Sequence, residues 1–595
     1  MSDPRIEYES RLASHVQTIQ RREHQHVLVG NLKLTVVVAF LVLAWLCYLR
    51  HALAARWLIA PVVAYAALAV VHEYAIRART RAEAAAAFYR GGLARMEDRW
   101  SGLGATGERF RDPRHVYAED LDLFGDGCLF QLLSTARLPM GESRLAEWLL
   151  NPSPAPTVIE RQELVSELRE KLDLREDVAV TGEDLRVRLN PESLTNWCEA
   201  RPVLGLRFLR PVAILFALLA AATFTCLLFT GLIWPFLAVL MLEAIVYARF
   251  RRGATTVLSG VSCNAEGVVL FAKIVERLES ESFGAARLKQ LVAELTEGIE
   301  PASCVIRKFA RIVNWIDSRE SPLVRMIELP ALYSIQVAAA AEGWRKRHGH
   351  RLRRWIDAVA EFEALLSLSA YAFEHPFDPF PVLARNGSAA RFEGEQLGHP
   401  LLPRSQCVRN NVRLDQQTRV LLVSGSNMSG KSTLLRTVGI NAVLAMAGAP
   451  IRGTSLCLTP LSLGTRLRSM DSLQEGRSTF FTELLRIRQV FDLVSRQNPI
   501  LFLLDELLDG TNSHDRRIGA ENLVRAFLES GAIGIVTTHD LALAEMTQSL
   551  GATVHNVHFE DHVEDGKMRF DYRLRDGIVA KSNALELMRL VGLKV

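Results

Sequence analysis

Between Val420 and Thr433 the chain reads Val-Leu-Leu-Val-Ser-Gly-Ser-Asn-Met-Ser-Gly-Lys-Ser-Thr: an apolar run, a glycine-framed turn and the start of a helix. This order predicts a buried strand feeding a helix through a loop, and so commits the C-terminal region to an α/β arrangement. Gly425 and Gly430 bracket Ser426, Asn427, Met428 and Ser429, and Lys431, Ser432 and Thr433 follow. Successive backbone N–H groups in such a loop can surround a phosphate, while Lys431 reaches outward and the Ser432 hydroxyl faces Mg2+. A nucleoside triphosphate, ATP or GTP, is the expected ligand.

Two further apolar segments follow, and each ends in reactive side chains. Pro499-Ile-Leu-Phe-Leu-Leu-Asp505-Glu506 predicts a strand that delivers two carboxylates at its end. Asp505 is placed to hold Mg2+ together with Ser432, and Glu506 to orient and polarise the water that attacks the γ-phosphate. In Gly534-Ile-Val-Thr-Thr-His539-Asp540 a histidine leaves a third strand where a γ-phosphate sensor belongs. Lys431, Glu506 and His539 are thus the candidate catalytic residues.

Together these segments resemble the MutS family of ATPases. The Asn427-Met428 pair matches that family's phosphate loop, and Met470-Asp-Ser-Leu-Gln-Glu-Gly-Arg-Ser-Thr-Phe480 is similar to its signature segment. The resemblance implies ATP with Mg2+ as cofactors. It also implies a homodimer in which Ser478 starts a helix whose N-terminus faces the nucleotide of the opposite subunit. Asp505-Glu506-Leu-Leu-Asp-Gly-Thr-Asn512 is similar to the family's acidic pair followed by Gly-Thr, although Leu507-Leu508-Asp509 departs from the usual residues there. Upstream, Gly398-His-Pro400 with Val408–Arg413 resembles the opening of the family's ATPase domain, and Leu121–Phe124 with Thr135–Leu150 resembles the start of its helical core, or lever, domain. Lys581-Ser-Asn-Ala-Leu-Glu-Leu587 resembles its last helix, so the likeness covers about 115–205 and 255–595.

Outside that likeness lie Leu34–Leu49 and Trp57–Val71, apolar runs without a charge, and the longer Pro211–Leu242. The first two approach the length that crosses ~30 Å of hydrocarbon, and the third is too long for one span. Thr230-Gly231 and Trp234-Pro235 predict a break there, giving four spans with the last ending near Tyr247. Arginines at 5, 11, 21 and 22, at 77, 79 and 81, and at 249, 251 and 252 place both termini and the ATPase in the cytoplasm of a multi-pass plasma-membrane protein. The segment 1–30 is too polar and too long for a cleaved signal peptide. Glu243 falls within the fourth span, either as a functional carboxylate or as one that snorkels from the last turn.

The expected fold is therefore multidomain α plus α/β: a cytoplasmic segment 1–30, transmembrane hairpins at 31–76 and 208–249, a MutS-like helical core at 77–207 and 250–385, and a P-loop ABC-type ATPase domain at 390–595. An apolar fraction of 49% beside 23% charged residues suits such a hybrid. Eight scattered cysteines contain no Cys-x-x-Cys, so neither a disulfide framework nor a cysteine metal site is expected. The net charge of +4 makes no overall case for nucleic acid. The densest basic run, Arg345–Arg354, suits DNA phosphates, a solvated helix face or anionic lipid.

In the family's mismatch-repair members, a domain ahead of the lever wedges a phenylalanine, beside a glutamate, into the mismatch. Here the first span occupies that region, and the 208–249 hairpin stands near the place of the family's DNA clamp. The chain ends soon after Leu593, so neither a nuclease domain nor a tetramerisation extension is expected. Two readings follow. One is a membrane-anchored MutS-like ATPase with DNA as a candidate partner. The other is a conformational-switch ATPase acting on a membrane protein partner without DNA. A transporter reading is weaker, because the spans hold no other charge to line a substrate path.

Overall fold

A computed structural model describes the chain apart from residues 1–2, 51–52, 187–189, 206–207, 262, 264, 385–388, 427, 468–478, 496–497, 509–511, 541–546, 565–566 and 579–595. Asp3 caps the first helix by accepting from the Arg5 N–H at 2.9 Å. Strong helix formers then run into the first apolar stretch without a breaker, so both belong to one helix, α1 (Pro4–Tyr48), of 45 residues. At 1.5 Å per residue that is about 67 Å. The helix α2 (Ile59–Met96) returns along it. The base of this pair is anchored by Tyr8, Phe88 and Tyr89, which are buried with Leu172 and Ala179. Farther out, Leu34, Leu41, Val63 and Val70 are exposed.

The helical core comprises α3 (Leu129–Leu133), α4 (Pro139–Leu150), α5 (Ala155–Arg169), α6 (Leu172–Arg186) and α7 (Pro191–Glu199), then α10 (Ala265–Glu279), α11 (Ala286–Thr296), α12 (Ala302–Asp317), α13 (Pro322–Ile327) and α14 (Tyr333–Glu374). The 42-residue α14 runs through its middle, burying Trp355 and Phe362 and packing against α4, α5, α7 and α12. Between α7 and α10 the chain leaves this core as a second hairpin, α8 (Leu209–Thr230) and α9 (Trp234–Ser259). Gly231, at φ +74°, closes α8 in the left-handed conformation that a helix C-terminus favours.

Among the described residues three helices are long and apolar enough to cross a membrane: Pro4–Tyr48, Ala55–Met96 and Leu209–Thr230. The fourth span expected from the sequence, at α9, is not among them. Arg249, Arg251 and Arg252 lie within that helix, which runs on to Ser259, and they cut its uncharged part short. Glu243 consequently sits in mid-helix and does not snorkel: it is fully buried, and neither carboxylate oxygen has a hydrogen-bond partner among the described residues.

The C-terminal region holds two sheets. A four-stranded sheet has the order β1 (Val382–Leu383), β5 (Ser455–Leu458), β2 (Phe392–Leu397), β3 (Asn410–Leu414). A six-stranded sheet has the order β10 (Lys567–Asp576), β9 (Val554–Glu564), β4 (Val420–Ser424), β8 (Ile533–Thr538), β7 (Ile500–Leu504), β6 (Ser462–Arg466). All its pairs are parallel except the β9–β10 edge hairpin. Parallel strands are covered on both faces, which is why β4 and β7 read as unbroken apolar runs. Every residue of both strands is buried. After β4 comes α15 (Lys431–Ala447); α16 (Thr479–Phe491) precedes β7, and α17 (Ser513–Glu529) precedes β8. Arg161 of α5 stacks over Trp148 and donates to the Ala447 carbonyl at 3.1 Å, which fastens the helical core to the end of α15.

Candidate nucleotide site

Pairing of β4 with β8 and of β8 with β7 brings the C-terminal ends of three strands side by side, where ligands of open parallel sheets bind. Beyond β4 the chain turns through Gly425 to Gly430, whose φ of +103° belongs to the left-handed region. A Cβ on Gly425 would lie 2.8 Å from Ser429 Oγ, so the tight loop requires glycine there. Lys431 folds over the loop, and its Nζ donates to the carbonyls of Gly425 at 2.8 Å and Ser426 at 2.9 Å. Burial pushes the Lys431 ammonium below its ordinary range, and nearby Glu506 and Asp505 oppose that shift. The hydroxyls of Ser426 and Ser429 are buried without a partner among the described residues. Such orphaned donors in a glycine-framed loop suit phosphate oxygens.

Ser432, at the first turn of α15, donates from Oγ to Asp505 Oδ2 at 2.5 Å. The other oxygen of Asp505 accepts from Thr537 Oγ1, and that hydroxyl in turn accepts from the Glu506 N–H at 3.0 Å. Next along the strand ends, His539 Nδ1 lies 3.6 Å from Glu506 Oε1. A hydroxyl and a carboxylate oxygen converging beside a phosphate loop are the hard oxygen donors that Mg2+ takes, so the donor set fits that ion. Ser426, Met428, Gly430, Lys431, Ser432, Thr433, Asp505 and Glu506 line one cavity of about 560 Å3. Asn427 and Ser478 lie outside the described residues, as do the Gly510-Thr511 turn and the segment after Lys581.

Tyr572 could not be singled out from the sequence, while His399 and Asn410, in segments that resemble the opening of the family's ATPase domain, carried no expected role at this cavity. Tyr572 arrives from β10, more than a hundred positions after the loop, and its ring lies beside Gly430. Asn410 holds it there by donating to the Tyr572 carbonyl at 2.9 Å and accepting from the Leu574 N–H at 2.8 Å. His399 reaches the cavity because Asn441 of α15 donates to the Gly398 carbonyl at 3.0 Å. An aromatic residue in an edge hairpin carries no local signal of such a place.

The basic run on α14 is divided: Lys346, Arg347, Arg353 and Arg354 are exposed, while Arg345 is enclosed. Arg345 is buried and donates to Glu342 and to the carbonyls of Trp197 and Arg201. Arg351 stacks on Trp355, while Arg353 and Arg354 pair with Glu199 and Glu297.

Residues 421–594 match the family described as MutS domain V. Over 219 residues the chain is 32% identical to the Endonuclease MutS2 of Thermus thermophilus, a match covering 36% of this chain and 28% of that protein. Over 254 residues it is 29% identical to the DNA mismatch repair protein MutS of Staphylococcus aureus, covering 42% of this chain and 28% of that protein. The chain thus matches 28% of the length of each of these relatives.

Proposed function

We propose that this chain, which belongs to the MutS family through its C-terminal domain, is a membrane-anchored ATPase that binds ATP with Mg2+ at the 425–433 loop and hydrolyses it slowly, as a conformational switch. The observation that carries this reading is the convergence of Lys431, Ser432, Asp505 and Glu506 on one cavity at the strand ends.

The backbone N–H groups of the loop, with the Ser426 and Ser429 hydroxyls, bind the phosphates, and Lys431 exchanges its two carbonyl partners for phosphate oxygens. Ser432 and Asp505 would hold Mg2+, which would supply charge neutralisation to the triphosphate. Glu506 orients the attacking water and accepts its proton, and His539 beside it senses the γ-phosphate. Ser478 of the opposite subunit completes the site in a homodimer.

Exposed apolar residues along both hairpins, among them Leu41, Val70, Leu218 and Phe229, face lipid rather than protein. The ATPase domain then lies on the cytoplasmic side of the plasma membrane. The second hairpin stands where the family's clamp belongs, so lever motion driven by ATP acts on the bilayer or on a membrane protein. Mismatch-repair chemistry, named in the relatives, makes DNA the competing partner. The burial of Arg345 against Glu342 and Trp197 removes one charge from the basic run that DNA phosphates would meet.

The test is the ATPase rate of the detergent-purified full chain, with and without duplex, branched and mismatched DNA, across a salt series. Mg2+-dependent hydrolysis that Glu506→Gln abolishes supports the site, and full activity in that variant rejects it. Salt-dependent DNA binding with stimulation selects the DNA reading. Release of the protein from membranes by alkaline carbonate rejects the membrane anchor.

A further inference from the structure

Next to the acidic strand end lies an ion pair that the proposed hydrolysis does not itself use. Arg466 closes β6, Glu483 lies in α16, and their Nη2 and Oε1 atoms are 3.3 Å apart, with both side chains nearly enclosed. Each partner also grips the backbone of the turn that follows Asp505. From Arg466, Nη1 donates to the Asp505 carbonyl and, at 3.3 Å, to the Glu506 carbonyl. Glu483 Oε1 accepts from the Leu508 N–H at 2.8 Å.

That turn is strained. Glu506 has φ +47° and Leu508 has φ +57°, both in the left-handed region that side chains with a Cβ avoid. Two such residues, separated by a single residue, persist only where the surroundings over-determine them, and such strain gathers at functional sites. Thr537 fixes the Glu506 N–H from the β8 side. The Arg466–Glu483 pair fixes the carbonyls and the Leu508 N–H from the β6 and α16 side. A buried ion pair is a poor device for stability alone, since desolvation offsets most of its attraction.

We propose that Arg466 and Glu483 are positioning residues for ATP hydrolysis: they hold the Glu506 peptide in its left-handed conformation, which aims the carboxylate towards the cavity, and they make that aim depend on the placement of α16. The proposal rests on the ATPase reading above. It accounts for an Arg and a Glu of opposite charge converging on backbone atoms of one turn. It also makes a displacement of α16 sufficient to misdirect Glu506, because Glu483 holds the Leu508 N–H and its partner Arg466 holds the Asp505 and Glu506 carbonyls.

The experiment uses the full chain in detergent, with binding of a fluorescent ATP analogue and single-turnover hydrolysis measured separately. Arg466→Met and Glu483→Ala are expected to lower the hydrolysis rate by about 100-fold, with the dissociation constant changed by no more than about threefold. Glu483→Gln keeps an acceptor for the Leu508 N–H and recovers hydrolysis to within about fivefold of the parent, a rescue that a general loss of folding does not permit. Combined with Glu506→Gln, Glu483→Ala adds no further loss. Should Arg466→Met lose nucleotide binding, Arg466→Lys decides. It keeps a charge beside Glu483 without the fork that reaches two carbonyls, so slowed hydrolysis at unchanged affinity supports the proposal and unchanged hydrolysis overturns it. If Glu506→Gln blocks hydrolysis while Arg466→Met and Glu483→Ala hydrolyse at the parent rate, the positioning role is wrong and the site reading stands. If Glu506→Gln hydrolyses normally, the site reading itself fails.

Discussion

Asp120, in the segment leading into the helical core, accepts a hydrogen bond from Thr465 Oγ1 of β6 at 2.7 Å, and the same oxygen takes the Leu467 N–H at 3.1 Å. Arg486 of α16 joins them, 3.8 Å from Asp120 and donating to the His115 carbonyl at 2.7 Å and the Thr465 carbonyl at 3.2 Å. The helical core, β6 and α16 thus meet at one buried joint, one residue away from Arg466. Asp120→Ala leaves the Leu467 N–H without its acceptor and Arg486 without its counter-charge, while the Thr465 hydroxyl keeps the Val116 carbonyl at 3.2 Å. The expected destabilisation is about 2–4 kcal/mol in urea unfolding of the full chain, with Asp120→Asn costing less. A loss below about 0.5 kcal/mol means that the joint relaxes onto other partners.

The proposed site assigns nucleotide binding and metal binding to different residues, Lys431 and Asp505. Lys431 is held by two loop carbonyls that phosphate oxygens replace, so Lys431→Ala is expected to weaken ATP binding by about 10- to 100-fold, or about 1.4–2.8 kcal/mol. Asp505→Asn removes the charge beside Ser432 and instead shifts the Mg2+ concentration at half-maximal hydrolysis upward, while metal-free nucleotide binding changes little. Titrating Mg2+ at fixed ATP reads both. Equal effects of the two substitutions on metal-free binding contradict the assignment of Asp505.

How far the sequence announces this site depends on whether the information is local. The strand, loop and helix of 420–447 are legible because a doubly covered parallel strand must be apolar throughout and the loop needs glycine where a Cβ would meet Ser429. Asp505 and His539 are legible for the same reason, each following a strand of buried residues. Tyr572 and Arg466 are not, since nothing in their neighbours distinguishes a side chain turned towards the cavity or the turn from one on an ordinary surface. Charge runs mislead in a similar way. Arg345 to Arg354 reads as a basic face, and only the packing of α14 shows Arg345 buried against Trp197 and Glu342. At α9 the helix passes Tyr247 without a breaker and takes three arginines with it, which the apolar run alone does not announce.

Two histidines set the acid limit of stability. Burial pushes His399 down to about 4 and His375 down to about 3, with Arg404 adding to the effect at His375 and Arg436 at His399. Both are neutral in the folded chain near neutrality. The unfolded chain takes up protons as pH falls below about 6.5 while the folded chain does not, so stability is present above that pH and is lost as pH falls towards 4. For His399 the shift corresponds to at most about 3 kcal/mol. Chemical unfolding at pH 7.5, 6 and 5 is expected to show this loss, and His399→Gln to flatten it. A slope that His399→Gln leaves unchanged assigns the loss to other groups.

Glu374 anchors the N-terminal hairpin to the helical core. Its carboxylate is fully buried at the end of α14 and accepts from Arg95 Nε at 2.7 Å, Arg95 Nη2 at 2.5 Å and Tyr8 Oη at 3.2 Å. Gly92 permits the contact, because a Cβ there would lie 2.4 Å from the Tyr8 ring and 3.1 Å from Glu374 Oε1. Glu374→Gln leaves the Arg95 charge enclosed and undercompensated, which costs about 3–5 kcal/mol for a buried pair broken on one side. The cost falls on docking of the hairpin base, so hydrogen exchange in residues 4–20 and 85–96 is expected to rise while the ATPase domain keeps its protection. Gly92→Val, which forces the Tyr8 ring away with both charges intact, is expected to give the same pattern. Replacing both partners, Arg95→Met with Glu374→Leu, removes the stranded charge and restores much of the protection. Exchange that rises throughout the chain in Glu374→Gln argues instead that the hairpin base and the ATPase domain unfold as one unit.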